Sequence, residues 1–175
     1  MLELSQKQSE TDSEPPLRLT SLKAGYNGTP IVSDLDVELK PGEKVLLVGP
    51  NGCGKSTLIK AIIGQARVLQ GDVLINGKSV LGLPTEKRIL TGVAYLPQQR
   101  NVFASLSVQE NLLLSHMYLG RIEKKKVMEL VMHTFPFLEK KLGARAGTLS
   151  GGERQALAMG MTVHPEAVVY LLDEP

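Results

Sequence analysis

Four consecutive apolar residues, Val45-Leu46-Leu47-Val48, run straight into Gly49-Pro50-Asn51-Gly52-Cys53-Gly54-Lys55-Ser56, and an apolar, helix-like stretch from Thr57 to Ile63 follows. A strand, a glycine-rich turn and a helix in that order place the chain in the α/β class, with the turn at the carboxyl end of a sheet strand. The spacing G-x-x-x-x-G-K-[ST] is complete. Its glycines let the backbone curl so that successive N–H groups face inward, and the helix N-terminus adds partial positive charge, so the loop suits a phosphate chain. In that reading Gly49, Pro50, Asn51, Gly52, Cys53 and Gly54 cradle phosphate. Lys55 reaches the β- and γ-phosphates, Ser56 ligates magnesium and Thr57 bonds the α-phosphate. Gly64 is placed to cap the helix at its far end.

Because residues 45–48 are apolar at every position, they read as a strand covered on both faces. Val168-Val169-Tyr170-Leu171-Leu172 reads as the parallel counterpart in the same central sheet. Asp173 and Glu174 then fall at the carboxyl end of the second strand, beside the phosphate loop. There Asp173 would hold Mg²⁺ directly or through water, and Glu174 would orient and deprotonate an attacking water. An antiparallel portion surrounds these strands: Leu17, Leu19, Leu35, Val37 and Leu39 alternate with Arg18, Asp34, Asp36, Glu38 and Lys40. Asn27-Gly28, Pro41-Gly42 and Asn76-Gly77 supply turns, the first and third in the dipeptide that suits tight hairpins. In the middle of the chain, Ser107 and Glu110 have capping-box spacing ahead of Leu112, Leu113 and Leu114. Val127, Leu130, Val131 and Thr134 mark a second helix, stopped by Pro136. Residues from about 101 to 148 thus read as a helical lobe inserted into a core of 17–100 and 149–175. Residues 1–16 form a polar tail that cannot repay its ordering by burial.

Composition narrows the function classes. At 175 residues, 42% hydrophobic and 22% charged, the chain has enough apolar material for a core, and its net charge of +2 is too mild to draw nucleic acid by electrostatics. The longest apolar runs, 45–48 and 167–172, fall far short of the ~20 residues of a membrane-spanning helix. A single cysteine, Cys53, excludes an internal disulfide, and no basic region precedes an apolar core at the N-terminus, so a reducing cytoplasmic setting is expected. His116, His133 and His164 are not spaced as a metal site, and Lys124-Lys125-Lys126 reads as a solvated helix face.

A second glycine-rich stretch, Leu149-Ser150-Gly151-Gly152-Glu153, opens the helix-like run to Met159 and offers N–H groups and a dipole end to an anion. With the loop ending in Lys55 as Walker A, this stretch as the signature and Tyr170 to Glu174 as Walker B, the chain resembles the nucleotide-binding subunits of ABC transporters. The resemblance covers nearly everything from Leu17 to Pro175. It implies a P-loop ATPase core with an antiparallel β subdomain and an inserted helical subdomain, with ATP and Mg²⁺ as ligands. It also implies a head-to-tail pair with a second nucleotide-binding subunit, in which Ser150, Gly151 and Gly152 of one subunit face the γ-phosphate held by Lys55 of the other.

Two further elements match the family residue by residue. Tyr26 corresponds to the aromatic that stacks on adenine. Gln98, in Tyr95-Leu96-Pro97-Gln98, corresponds to the glutamine that senses magnesium and the γ-phosphate where the core meets the helical lobe; Gln99 beside it is the other register. The run Asn101 to Leu112 resembles importers of branched-chain amino acids and related amides or urea, with Phe103 and Leu106 as candidates for the groove that receives a helix of the membrane subunit. The resemblance therefore implies transmembrane permease subunits as partners, no nucleic acid, and a peripheral place on the inner face of the cell membrane. Two departures stand out: Ala158-Met159-Gly160-Met161 where many relatives carry arginine, and an early Pro165. The sequence stops at Pro175, ahead of the family's interface loop and switch histidine, so the fold is expected to be incomplete at the C-terminus and this piece alone to hydrolyse ATP poorly or not at all. Two other readings share the nucleotide-facing residues: a soluble ABC ATPase acting on ribosomes or DNA, and a non-hydrolytic partner in a heterodimer.

Overall fold

The computed structural model describes residues 14–99, 101–117, 124–164 and 166–173. Residues 1–13 of the polar tail, Pro165 and Glu174 lie outside the described residues. Four strands form an antiparallel sheet in the order β2-β1-β3-β4, with β1 at Leu17–Tyr26, β2 at Thr29–Leu39, β3 at Arg67–Ile75 and β4 at Lys78–Ser79. The alternation read from the sequence sets its register: Leu17 faces Leu39 and Ile75, and Leu19 faces Val37 and Val73, so apolar residues meet on one face. Asn27-Gly28 and Asn76-Gly77 make the hairpin turns with positive φ at both positions (51° and 80°, 48° and 70°), a backbone that asparagine and glycine tolerate best.

Helix α1, Lys55–Ile63, packs its Leu58, Ile59, Ile62 and Ile63 into one cluster with β1, β3 and a second sheet. At nine residues the helix is too short to persist by propensity. Four buried aliphatic side chains at roughly 1.5–3 kcal/mol each hold it instead. Gly64 ends it in the left-handed conformation, its N–H donating back to Ala61 O. The second sheet is a parallel pair, β5 at Val93–Leu96 and β6 at Val169–Leu172. The short helix α2, Thr85–Ile89, precedes β5.

Here the central pairing expected from the sequence is corrected. β6 pairs with β5 and not with residues 45–48, which belong to neither sheet among the described residues. Val45, Leu46 and Val48 are exposed, Leu46 to 84%. An all-apolar run states what surroundings a strand needs, but the neighbouring strand must come from elsewhere in the chain. No described strand lies alongside this one.

Three helices, α3 at Val108–Met117, α4 at Lys124–Thr134 and α5 at Gly151–Thr162, build a separate cluster around Val108, Leu112, Val127, Val131, Leu138 and Leu157. The capping box at the start of α3 forms as read, with Ser107 N–H donating to Glu110 Oε2 at 2.7 Å and Glu110 N–H donating to Ser107 Oγ at 3.1 Å. Gly160 sits where α5 crosses the other two helices: a Cβ there would lie 3.0 Å from Val131 Cγ1 and 3.4 Å from Leu112 Cδ2. The departure Ala158-Met159-Gly160-Met161 thus permits a close helix crossing.

Candidate functional site

The glycine-rich loop delivers the N-terminus of α1 to an open cleft. Gly52 and Gly54 have φ of 81° and 103°, and a Cβ on Gly54 would meet Ile31 and Val32 of β2 at 3.2–3.3 Å, so only glycine fits under the hairpin. The ladder of α1 begins with Leu58 N–H donating to Gly54 O at 2.8 Å, which leaves the amides before it directed out of the helix end. No acidic side chain occupies the first turn, so the dipole end stays positive. Lys55 Nζ folds back over the loop, donating to Gly49 O at 2.8 Å and Pro50 O at 3.0 Å.

The acidic side of the site comes from β6. Asp173 N–H donates to Leu96 O at 3.0 Å, one step beyond the last paired residues, which fixes Asp173 at the carboxyl end of the β5–β6 pair. Its side chain is buried at 6% exposure and accepts a hydrogen bond from Ser56 Oγ at 3.0 Å. Burial, and then the nearby Asp173 charge, push the Tyr95 hydroxyl above its ordinary pKa. The cleft encloses ≈ 470 Å³ between Lys55, Ser56, Thr57, Asn51 and Gln98, with Ile31 on its β-sheet side. A magnesium ion is a fair match for these donors. They are hard oxygens, and the 3.0 Å between Ser56 Oγ and Asp173 Oδ1 is close to the ~2.9 Å edge of an octahedron with ligands at about 2.05 Å.

The other expected residues are distributed unevenly. Gln98, not Gln99, lines the cleft. Tyr26 ends β1 at the hairpin tip, 40% exposed, and is not among the residues lining the cleft. Cys53 is exposed on the loop, its Sγ 2.7 Å from where a Cβ on Gly49 would stand. Glu174 lies outside the described residues.

Ser150, Gly151 and Gly152 do not line this cleft; they open α5 elsewhere. Ser150 caps that helix in a capping box, its N–H donating to Glu153 Oε2 at 3.0 Å while Glu153 N–H donates to Ser150 Oγ at 3.3 Å. Both glycines are exposed with open space where a Cβ would stand, leaving the helix end accessible to a second surface.

Two further contributors belong to no motif. Lys141 donates to Glu153 Oε1, and this bond, followed by those from Ser150, draws the Glu153 carboxyl down to about 2. Asn111 is fully buried in α3 and ties down the loop ahead of it: its Oδ1 accepts from Phe103 N–H at 2.7 Å and its Nδ2 donates to Phe103 O and Ser107 O at 3.0 and 2.9 Å. A polar residue at an apolar helical position, one step after the capping box, was the available clue. The bracing leaves Phe103 53% exposed on a fixed loop.

The family model described as ABC transporter matches residues 32–175. The chain is 45% identical over 159 residues to a probable branched-chain amino acid transport ATP-binding protein, LivF, of Archaeoglobus fulgidus, covering 91% of this chain and 67% of that protein. It is 37% identical over 150 residues to the high-affinity branched-chain amino acid transport ATP-binding protein BraG of Pseudomonas aeruginosa, covering 86% of this chain and 64% of that one. A solved structure titled as the ATP binding subunit of an ABC transporter superposes with a TM-score of 0.77 at 30% identity, over 90% of this chain and 65% of its own. The chain therefore spans about two thirds of the length of these relatives. No helix among the described residues is long and apolar enough to cross a membrane.

Proposed function

Because the chain belongs to the ABC transporter family, we propose that it is the ATP-binding and hydrolysing subunit of an importer for branched-chain amino acids or related small polar solutes. The observation that carries this reading is the convergence of Ser56 Oγ and Asp173 Oδ1 at 3.0 Å beside the N-terminus of α1, in a cleft that also holds Lys55 and Gln98. The solute class rests on the names of the relatives, two of which are branched-chain amino acid transport ATP-binding proteins.

When ATP enters, the loop amides and the positive end of α1 take the phosphates, and Lys55 exchanges two carbonyl acceptors for β- and γ-phosphate oxygens. Thr57 lies one residue further into α1 and bonds the α-phosphate. Ser56, Asp173 and Gln98 would hold Mg²⁺, which supplies charge stabilisation to the phosphoryl oxygens. Glu174 is assigned to orient and deprotonate the attacking water, and Tyr26 to cover the adenine. Ser150, Gly151 and Gly152 of a second subunit close on the γ-phosphate, their helix end being free to do so in the isolated chain.

The helical lobe, about 101–148, links this chemistry to transmembrane permease subunits through the exposed Phe103 and the neighbouring Leu106. The protein would then sit on the cytoplasmic face of the membrane. The test is steady-state ATPase activity of the full-length protein. Lys55→Ala and Asp173→Asn are each expected to lower turnover about 100-fold or more, by loss of preorganised charge at the phosphates. Glu174→Gln is expected to accumulate an ATP-bound dimer on size exclusion. Wild-type turnover in Lys55→Ala would refute the reading.

A further inference from the structure

The C-terminal end of α1 is fastened by a cation that no nucleotide-facing role accounts for. Arg88 of α2 is only 5% exposed, and its partners are backbone carbonyls: Nη1 donates to Ala61 O and Ile62 O at 2.9 Å each, and Nε donates to Leu83 O at 2.9 Å. Ala61 and Ile62 lie in the last turn of α1, where carbonyls lack the regular i+4 donors and the dipole favours positive charge; Ala61 O has only the capping bond from Gly64 N–H at 3.2 Å beside that from Arg88. Gly64 leaves the room required, since a Cβ there would lie 2.9 Å from Arg88 Nε and 3.1 Å from its Cζ. Arginine stays charged at neutral pH even when buried, so the fastening is permanent.

The same residue is tied to the other wall of the cleft. Thr91 Oγ1 donates to Arg88 O at 2.6 Å, Gly92 follows, and β5 then runs from Val93 to Leu96, ending two residues before Gln98. Asp173 is hydrogen-bonded to the last residue of that strand. The guanidinium therefore ties the end of the helix that carries Lys55 and Ser56 to α2 and to Leu83 ahead of it, and the Arg88 backbone leads through Thr91 and Gly92 into β5, beyond whose end Gln98 follows and to whose last residue Asp173 is bonded.

Resting on the proposed ATPase function, we propose that Arg88 is a positioning residue for the magnesium-nucleotide site: it fixes the separation between Ser56 on α1 and the Asp173 and Gln98 oxygens across the cleft. Methionine in its place removes all three bonds while keeping an unbranched stem. Lysine keeps the charge but not the fork, so it can serve fewer of the three carbonyls.

The experiment uses the full-length protein with a fluorescent ATP analogue, measuring affinity with and without Mg²⁺, and the Mg²⁺ dependence of turnover, well below the melting temperature. Arg88→Met is expected to raise the Mg²⁺ concentration for half-maximal turnover at least tenfold, with magnesium-free nucleotide affinity changed less than threefold. Arg88→Lys is expected to fall between Arg88→Met and wild type. A folded Arg88→Met with a lowered melting temperature but wild-type magnesium dependence would overturn the inference. If Arg88→Met does not fold, Arg88→Lys decides on the same readout. A wild-type protein that binds no ATP refutes the functional reading itself, whereas ATP binding with unaffected variants refutes only the role of Arg88.

Discussion

Replacing Asn111 separates what its amide donates from the space it fills. The side chain is fully buried, and its Oδ1 is the acceptor for Phe103 N–H, while Nδ2 faces the carbonyls of Phe103, Leu106 and Ser107 at 3.0, 3.4 and 2.9 Å. Phe103 O and Ser107 O keep other donors, Leu106 N–H and Asn111 N–H, when the side chain is changed. In Asn111→Leu, therefore, one part-buried N–H loses its acceptor, at the lower end of about 1–3 kcal/mol, and two good amide donations are lost at about 1 kcal/mol each. Relief of amide desolvation offsets part of this, so a net loss of roughly 2–4 kcal/mol is expected.

Asn111→Asp keeps the acceptor for Phe103 N–H yet points its second oxygen at three carbonyls. At pH 7 an unpaired buried carboxylate costs more than the leucine variant, and its pKa is raised in the folded state. Folding of that variant takes up a proton near the carboxylate range, so its stability rises as pH falls and the gap to Asn111→Leu narrows between pH 7 and pH 4. Urea unfolding followed by far-ultraviolet circular dichroism at the two pH values measures both quantities. Asn111→Asp within 0.5 kcal/mol of wild type at pH 7, against a threshold set by the roughly 0.5 kcal/mol scatter of neutral surface changes, would refute the reasoning.

Gly54→Ala is expected to abolish ATP binding and to destabilise the fold by about 1–2 kcal/mol for the left-handed backbone alone, before any contact with Ile31; titration with a fluorescent ATP analogue and urea unfolding check both. Glu153, with its carboxyl lowered to about 2, contributes stability that is fully present above the ordinary carboxylate pKa, declines as pH drops below that value and is gone once pH falls through about 2. Its carboxyl carbon should show no NMR titration between pH 7 and 4, and Lys141→Met, which removes the largest cause, should move its midpoint upward, with the Ser150 bonds still holding it below the ordinary carboxylate value. Alkylation of Cys53 by a maleimide is expected to block nucleotide binding by bulk, and prior ATP to protect it; full ATP affinity after labelling would refute that.

Local signals carried far in this chain because their physics is local. Positive φ at Asn27-Gly28 and Asn76-Gly77, the capping box at Ser107 and the glycine stop at Gly64 each depend on a handful of adjacent residues, and each forms as its residues demand. What failed to follow depended on partners far away. The run at 45–48 asks for strands on both sides, and its composition cannot say which segment supplies them; β6 satisfies its own edge with β5 instead.

The site divides along the same line. Lys55 and its loop were legible because one turn of backbone must curl around an anion. The contact between Ser56 and Asp173 spans 117 positions, and the parallel pairing of 45–48 with β6 that was expected to align them does not form; it rests instead on Ser56 in the first turn of α1 and Asp173 just past the end of β6. Arg88 and Asn111 left no motif because their partners are backbone carbonyls and amides, groups that every residue carries. A side chain that recognises backbone imposes no residue type on its neighbours, so such braces become visible only when burial is known. A polar side chain in an otherwise apolar core is then the mark to look for, and in this chain both examples brace segments that lead to the cleft or to its exposed loop.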